Sequence, residues 1–157
     1  MERVDGQTPE SAGDEAARLF DEGLYCAESV LLALARRQGI ESDTLPAIAT
    51  GFCGGIARTG GMCGAVTGAV MGLGLAHGRH KPGETVAPAY ASVQQLITSF
   101  EGEFGSSNCS GLLGCDLGTE EGRATFREQG LSSRCRGYTR RAAELAAGLA
   151  DQRPAGT

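Results

Sequence analysis

The chain contains no tryptophan, and aromatic residues make up only 5% of its 157 positions. A core with so few rings must be filled by alanine, leucine, valine and glycine, which lets neighbouring helices approach closely. Basic residues are not in excess. The net charge is −5, which speaks against the basic stripe that nucleic acid requires, so no nucleic-acid partner is expected. Long apolar runs are missing too. The longest weakly apolar stretch, Gly64 to Ala76, falls short of the roughly 20 residues of a membrane span. The opening residues M-E-R-V-D-G-Q-T-P-E-S lack a basic region followed by an apolar one, so they do not read as a signal peptide. These absences predict a soluble, cytoplasmic protein with no membrane partner.

Several motifs are also absent. There is no C-x-x-C, which removes thioredoxin-type chemistry, and no C-x-x-C-H, which removes c-type haem attachment. No G-x-x-x-x-G-K-[ST] is present, and no strand precedes a glycine-rich turn, so nucleotide binding is not expected. The period-2 alternation of a half-buried strand is nowhere found.

What is present is six cysteines and 25 glycines. The glycines lack a G-X-Y period, which excludes collagen. The length suggests one domain and is sufficient for a core without disulfide staples. In a reducing compartment the cysteines are then expected to bind metal or act chemically.

Helical periodicity dominates the rest. Ser11 reads as an N-cap, with Asp14 in a weak capping box, and Gly23 stops the first helix. Cys26 to Gln38 carries Ala27, Val30, Leu31, Leu34 and Ala35 on one face, with Gly39 as the C′ residue. A short helix follows Ser42-Asp43, with Pro46 in its first turns. Thr85 can cap a long helix to about Glu103, with Ala89, Val93, Leu96, Ile97, Phe100 and Phe104 as its buried stripe. Short helices follow Asn108 and Thr119, the first closed by Gly114, and Ser132 starts the last one, which reaches about Leu149. The expectation is an all-α, compact single-domain bundle of about six to eight helices with glycine-rich close packing. Residues 1–10 are expected to be a disordered segment, 11–150 a helical redox or metal-binding domain, and 151–157 a frayed tail.

Four cysteines sit where helices are expected to open: Cys26, Cys63, Cys109 and Cys135. The unpaired N–H groups and positive dipole end of a helix start favour a thiolate, so lowered thiol pKa values are expected there. The run G-F-C-G-G-I-A-R-T-G-G-M-C surrounds Cys53 and Cys63 with glycines. Its backbone is expected to take positive φ or to approach another group closely. Gly64, Gly68 and Gly72 share a helix face that predicts close packing of a second helix. Alternatively that face could pair two subunits, giving a homo-oligomer whose cysteines are only core filler.

The cysteine spacings fit no zinc finger or knuckle, which leaves zinc the lesser candidate. Four thiolates satisfy an iron–sulfur cluster, and converging helix starts would stabilise that anionic group. The reading favoured here is a redox-active cysteine protein for electron transfer, with an iron–sulfur cluster held by Cys63, Cys109 and Cys135. Cys26 is taken as the fourth ligand, and Cys53 and Cys115 are the other residues that could complete the set. The redox partner is not specified by the sequence. The alternative is a metal-free thiol/disulfide oxidoreductase or sulfur carrier whose reactive residue is a helix-start cysteine, Cys63 or Cys109. His77 and His80, in a polar G-R-H-K loop, are expected to be solvated rather than bases of a hydrolase. Asp116 is expected to form a turn or cap. The arginines at 123, 127, 134, 136, 140 and 141 read as a solvated face or, more sharply, a docking patch for an acidic partner.

The ordered cysteines carry a resemblance. Cys26 in Y-C-A-E-S-V-L-L-A-L, Cys63 in G-M-C-G-A-V-T-G-A, Cys109 in F-G-S-S-N-C-S-G-L-L-G-C-D-L and Cys135 before the terminal helix follow one another in register. The chain resembles the redox-active family named for its pattern C_GCAxxG_C_C, over about residues 12 to 149. After Cys63 the sequence reads Gly64-Ala65 rather than alanine directly, and Gly68 is kept. Cys53 and Cys115 fall outside the naming pattern. The resemblance implies a small helical protein with a redox or metal role, and it supplies no reaction.

Overall fold

The computed structural model describes residues 10–152. Among them every regular element is helical: α1 Ala12–Asp21, α2 Cys26–Arg37, α3 Thr44–Ala49, α4 Cys53–Arg58, α5 Gly64–His77, α6 Ala87–Phe104, α7 Cys109–Leu113, α8 Glu120–Glu128 and α9 Ser132–Ala150. A single turn of 3-10 helix at Thr50–Phe52 joins α3 to α4. The expected all-α bundle is what the chain forms. Glu10, bound by Arg18 at 3.2 Å, and Asp151, bound by Arg37 at 2.9 Å, are the inner ends of the two segments expected to be disordered or frayed. Apart from Gln152, the rest of those segments lies outside the described residues.

Helix α2 runs through the middle, packed on α1, α5 and α9. Its faces bury Ala27, Val30, Leu31, Ala33, Leu34 and Ala35, the stripe that its periodicity predicts. The glycine face of α5 lies directly against it. A Cβ built on Gly68 would stand 2.7 Å from the Ala27 carbonyl oxygen, and one on Gly72 would stand 2.3 Å from Leu34 Cδ1. The small residues therefore serve close packing within one chain, and that face is not free to pair two subunits. Helices α1 and α9 close the bundle, with Ala16 and Leu19 meeting Ala142, Ala143 and Ala146 in the core. Leu96 and Phe100 of α6 complete it, with Phe104 and Tyr138 stacked nearby at ring centroid distances of 4.8 to 6.0 Å.

Helix ends largely follow the sequence signals. The Ser11 hydroxyl accepts the Asp14 N–H at 3.0 Å, and the Thr119 hydroxyl accepts the Gly122 N–H at 2.9 Å. The Asp14 carboxylate does not reach back to complete a capping box; it pairs with Arg140 of α9 instead. Three of the six late arginines are likewise occupied. Arg136 makes two bonds of 2.8 Å to Asp21, and Arg141 bonds Glu103 and Glu144. This removes Arg136, Arg140 and Arg141 from the expected docking patch. Among the described residues no helix is long and apolar enough to cross a membrane.

Candidate functional site

One end of the bundle is irregular, and the cysteines are there. Helix α4 is a left-handed turn. Gly54, Gly55, Ile56, Ala57 and Arg58 all have positive φ, between 53° and 69°. Glycine takes this region freely, but each L residue there costs about 1–2 kcal/mol, and β-branched Ile56 is the least suited of the three. Local hydrogen bonds hold the turn. The Thr59 hydroxyl donates to the Gly55 and Ile56 carbonyls at 3.2 and 2.8 Å, and the Gly61 N–H donates to the Gly55 carbonyl at 2.9 Å. The expected positive φ and close approach in this glycine-rich run are both present. A Cβ on Gly55 would lie 2.4 Å from Cys109 Cβ, and one on Gly64 would lie 2.4 Å from Cys26 Sγ.

The segments bearing Cys63 and Cys109 are tied edge to edge. Met62 and Asn108 form an isolated antiparallel bridge. The Cys63 N–H donates to the Ser107 carbonyl at 2.7 Å, and the Cys109 N–H donates to the Gly61 carbonyl at 2.8 Å. Two cysteines distant in sequence are thereby set side by side.

The result is a cavity of about 660 Å³ whose wall includes Cys26, Cys53, Cys63, Cys109 and Cys135. Cys115 is not in the wall but packs behind it with Cys109, Cys135, Leu113 and Leu131. Apolar side chains such as Phe20, Leu112, Leu113 and Phe126 line the cavity with the sulfurs, and Arg58, Arg123 and Arg127 also reach the wall. Among the described residues no carboxylate lines it, so the cavity has a positive rim suited to an anionic occupant. Sequence reasoning named Arg123 and Arg127 only as part of a late basic cluster and missed Phe20, Arg58, Leu112, Leu113 and Phe126 as lining residues. They come from α1, α4, α7 and α8, and no local pattern marks their convergence.

Helix-start placement holds for three cysteines. Cys26 is the first residue of α2, Cys63 the N-cap of α5 and Cys109 the first residue of the five-residue α7, whereas Cys135 lies a turn inside α9. The expected fall in thiol pKa does not occur at Cys63, Cys109 or Cys135. Burial pushes Cys63 up to about 12, and the N–H groups of Ala65 and Val66, which pull the other way, do not offset it. Burial likewise raises Cys109, and it raises Cys135 to about 12. A thiolate at Cys109 would oppose one at Cys63 or Cys135, and one at Cys115 would oppose both Cys109 and Cys135. Desolvation and mutual repulsion outweigh the helix amides.

Cys26 and Cys53 form a second group. Cys26 packs against the cluster that Cys53 forms with Ala27, Leu31 and Ala49, and its thiol, together with burial, raises the Cys53 pKa strongly. Cys53 Sγ also donates to Glu28 Oε1 at 3.6 Å and to the Ala49 carbonyl at 3.7 Å. Glu28 is fixed in turn by the Tyr25 N–H at 3.0 Å and the Thr50 hydroxyl at 2.9 Å.

Neither histidine lines the cavity. His77 Nε2 lies 3.0 Å from the Leu149 carbonyl. His77 is thus half-buried against α9 rather than solvated as expected, while His80 is exposed. Asp116 forms a turn as expected, accepting the Gly118 N–H at 2.8 Å. Among the described residues no three Cys, His, Asp or Glu side chains converge on a point that would hold one metal ion. The five wall cysteines are instead spread around the cavity.

The comparisons agree with the cysteine order. An uncharacterized protein of Archaeoglobus fulgidus is 32% identical over 112 residues, covering 66% of this chain and 74% of that protein. No solved structure matches the chain significantly. Residues 24–149 match the family described as "Putative redox-active protein (C_GCAxxG_C_C)", a span that includes all six cysteines and the whole cavity apart from Phe20. The chain belongs to this family.

Proposed function

We propose that the cavity binds an iron–sulfur cluster and that the protein transfers electrons to and from a redox partner. The observation that carries this reading is the convergence of cysteines from five separate segments, three of them buried, on one largely apolar, cation-rimmed cavity. Thiols held at raised pKa and repelling one another when ionised become stable thiolates only beside a compensating positive centre, and bound iron supplies one. Cys63, Cys109 and Cys135 hold the cluster, and Cys26 or Cys115 completes the set. When bound, the cluster accepts and releases single electrons. The chain's own part is to exclude water with its apolar wall and to fix Cys63 and Cys109 through the Met62–Asn108 bridge. The arginines balance the negative charge.

Purification without oxygen, followed by a visible spectrum and quantification of iron and acid-labile sulfide, tests the reading. Broad absorption with near-equal iron and sulfide is expected. A colourless, metal-free protein from that preparation overturns it. Cys63→Ser is expected to abolish the chromophore with helicity retained, and an unchanged spectrum removes Cys63 from the ligand set. Iron content in Cys26→Ser and Cys115→Ser separates the two candidates for the fourth position.

A further inference from the structure

The Cys26–Cys53 contact lies on the α2 side of the cavity, apart from the Cys63, Cys109 and Cys135 group. Three observations give it chemistry of its own. The two residues pack in one hydrophobic cluster and share the cavity wall although 27 positions apart in sequence. They differ in access: Cys53 is buried at 8% exposure, whereas Cys26 is partly exposed beside Tyr25. The Cys53 thiol points at a carboxylate, Glu28, which two further hydrogen bonds hold in place. An accessible thiol, a buried partner thiol packed beside it and a fixed proton acceptor are the parts of a thiol–disulfide exchange centre.

We propose that Cys26 and Cys53 form a dithiol that reduces a disulfide substrate, with Cys26 attacking and Cys53 resolving. The Cys26 thiolate attacks one sulfur of the substrate disulfide. That S–S bond breaks, a mixed disulfide forms on Cys26, and the departing substrate sulfur takes up the proton that Cys26 lost on ionising. Cys53 Sγ passes its proton to Glu28 and attacks Cys26 Sγ, closing the Cys26–Cys53 disulfide, and Glu28 hands that proton to the second departing substrate sulfur. Two electrons and two protons have then moved from the dithiol to the substrate. N–H groups at the start of α2, those of Ala27 and Glu28, face Cys53 Sγ and support its charge during attack. The step uses no cluster, but it requires that Cys26 not be a cluster ligand.

Anaerobically purified full-length protein is treated with glutathione disulfide, its free thiols are alkylated, and it is digested with trypsin. Iron is quantified in the same sample. The expected product is a disulfide joining peptide 19–36, which carries Cys26, to peptide 38–58, which carries Cys53. Cys53→Ser is expected to trap glutathione on Cys26, and Cys26→Ser to leave Cys53 unmodified. Glu28→Gln keeps an acceptor for the Tyr25 N–H and is expected to slow closure about tenfold or more near neutral pH. A linked peptide supports the dithiol whether or not iron is found. Both cysteines recovered alkylated, or Cys26 linked to Cys63, overturns it. Absence of iron overturns the cluster reading alone.

Discussion

The two ends of this bundle obey different rules. Where α1, α2, α5 and α9 meet, every helix keeps right-handed geometry, glycine and alanine bring the axes together, and arginine–carboxylate pairs lie at the surface. At the cysteine end the chain makes a left-handed turn through three non-glycine residues, leaves a cavity and puts arginines where no carboxylate answers them. The first end is locally relaxed. The second holds backbone in a costly conformation, and such strain persists only where surrounding structure over-determines it, commonly at functional sites. Here the over-determination is visible as the Thr59 and Gly61 hydrogen bonds and the Gly55–Cys109 contact.

Substitutions at the two ends should therefore fail for different reasons. The largest effect is expected from Gly55→Ala. Its φ of +67° and the 2.4 Å approach to Cys109 Cβ both oppose a side chain, and the combined cost is about 2–5 kcal/mol. Urea denaturation measures it, and loss of cluster loading should accompany it. Raising the pH probes the same end without a mutation. In metal-free protein, folded Cys63 keeps its proton up to about pH 12, whereas an unfolded thiol loses it near pH 8.5. Stability is then intact below the unfolded value and falls as pH rises towards the folded one, by about 1.4 kcal/mol per pH unit for this thiol. Urea midpoints across that window should show the fall, and Cys63→Ala should remove its share and leave those of Cys53, Cys109 and Cys135.

At the relaxed end, Gly68→Ala drives a Cβ to 2.7 Å from the Ala27 carbonyl oxygen. A loss of about 1–3 kcal/mol is expected from the forced separation of α2 and α5, with the thiols still reactive as in the parent protein. The smallest effect belongs to Arg136→Ala. Its ion pair with Asp21 is exposed on both sides and screened by solvent, so the melting temperature should move less than in any other variant. A large shift there would show that surface pairing, rather than small-residue packing, holds α1 to α9.

The contrast also explains what the sequence disclosed. The relaxed end was legible because its signals are local: Ser11 and Thr119 cap where they stand, the α2 stripe repeats at helical spacing, and Gly64, Gly68 and Gly72 recur every four residues. The glycines at 54, 55, 60 and 61 announced an unusual backbone, but nothing local told that Ile56, Ala57 and Arg58 would share it. The six cysteines were candidates from the start. Their division into a Cys26–Cys53 contact and a separate group was not readable, because it depends on which side of α2 faces α4. Helix-start position suggested lowered pKa values for the same reason that it misled: the helix amide effect is local, while the burial that overrides it is a property of the assembled cavity. Cys135 was counted among the helix starts although the last helix was expected, and found, to begin at Ser132, which sets the thiol about one turn inside it.

The Met62–Asn108 bridge has a topological consequence. Pinning these two residues together turns the chain between them, with α5, the 78–86 connection and α6, into a closed bight whose ends are already joined. Lengthening, shortening or even cutting the chain at the far side of that bight changes no bond at its neck, where Cys63 and Cys109 sit. The connection far from the sulfurs is thus where this chain can vary in length with the least disturbance to the spacing of those two thiols.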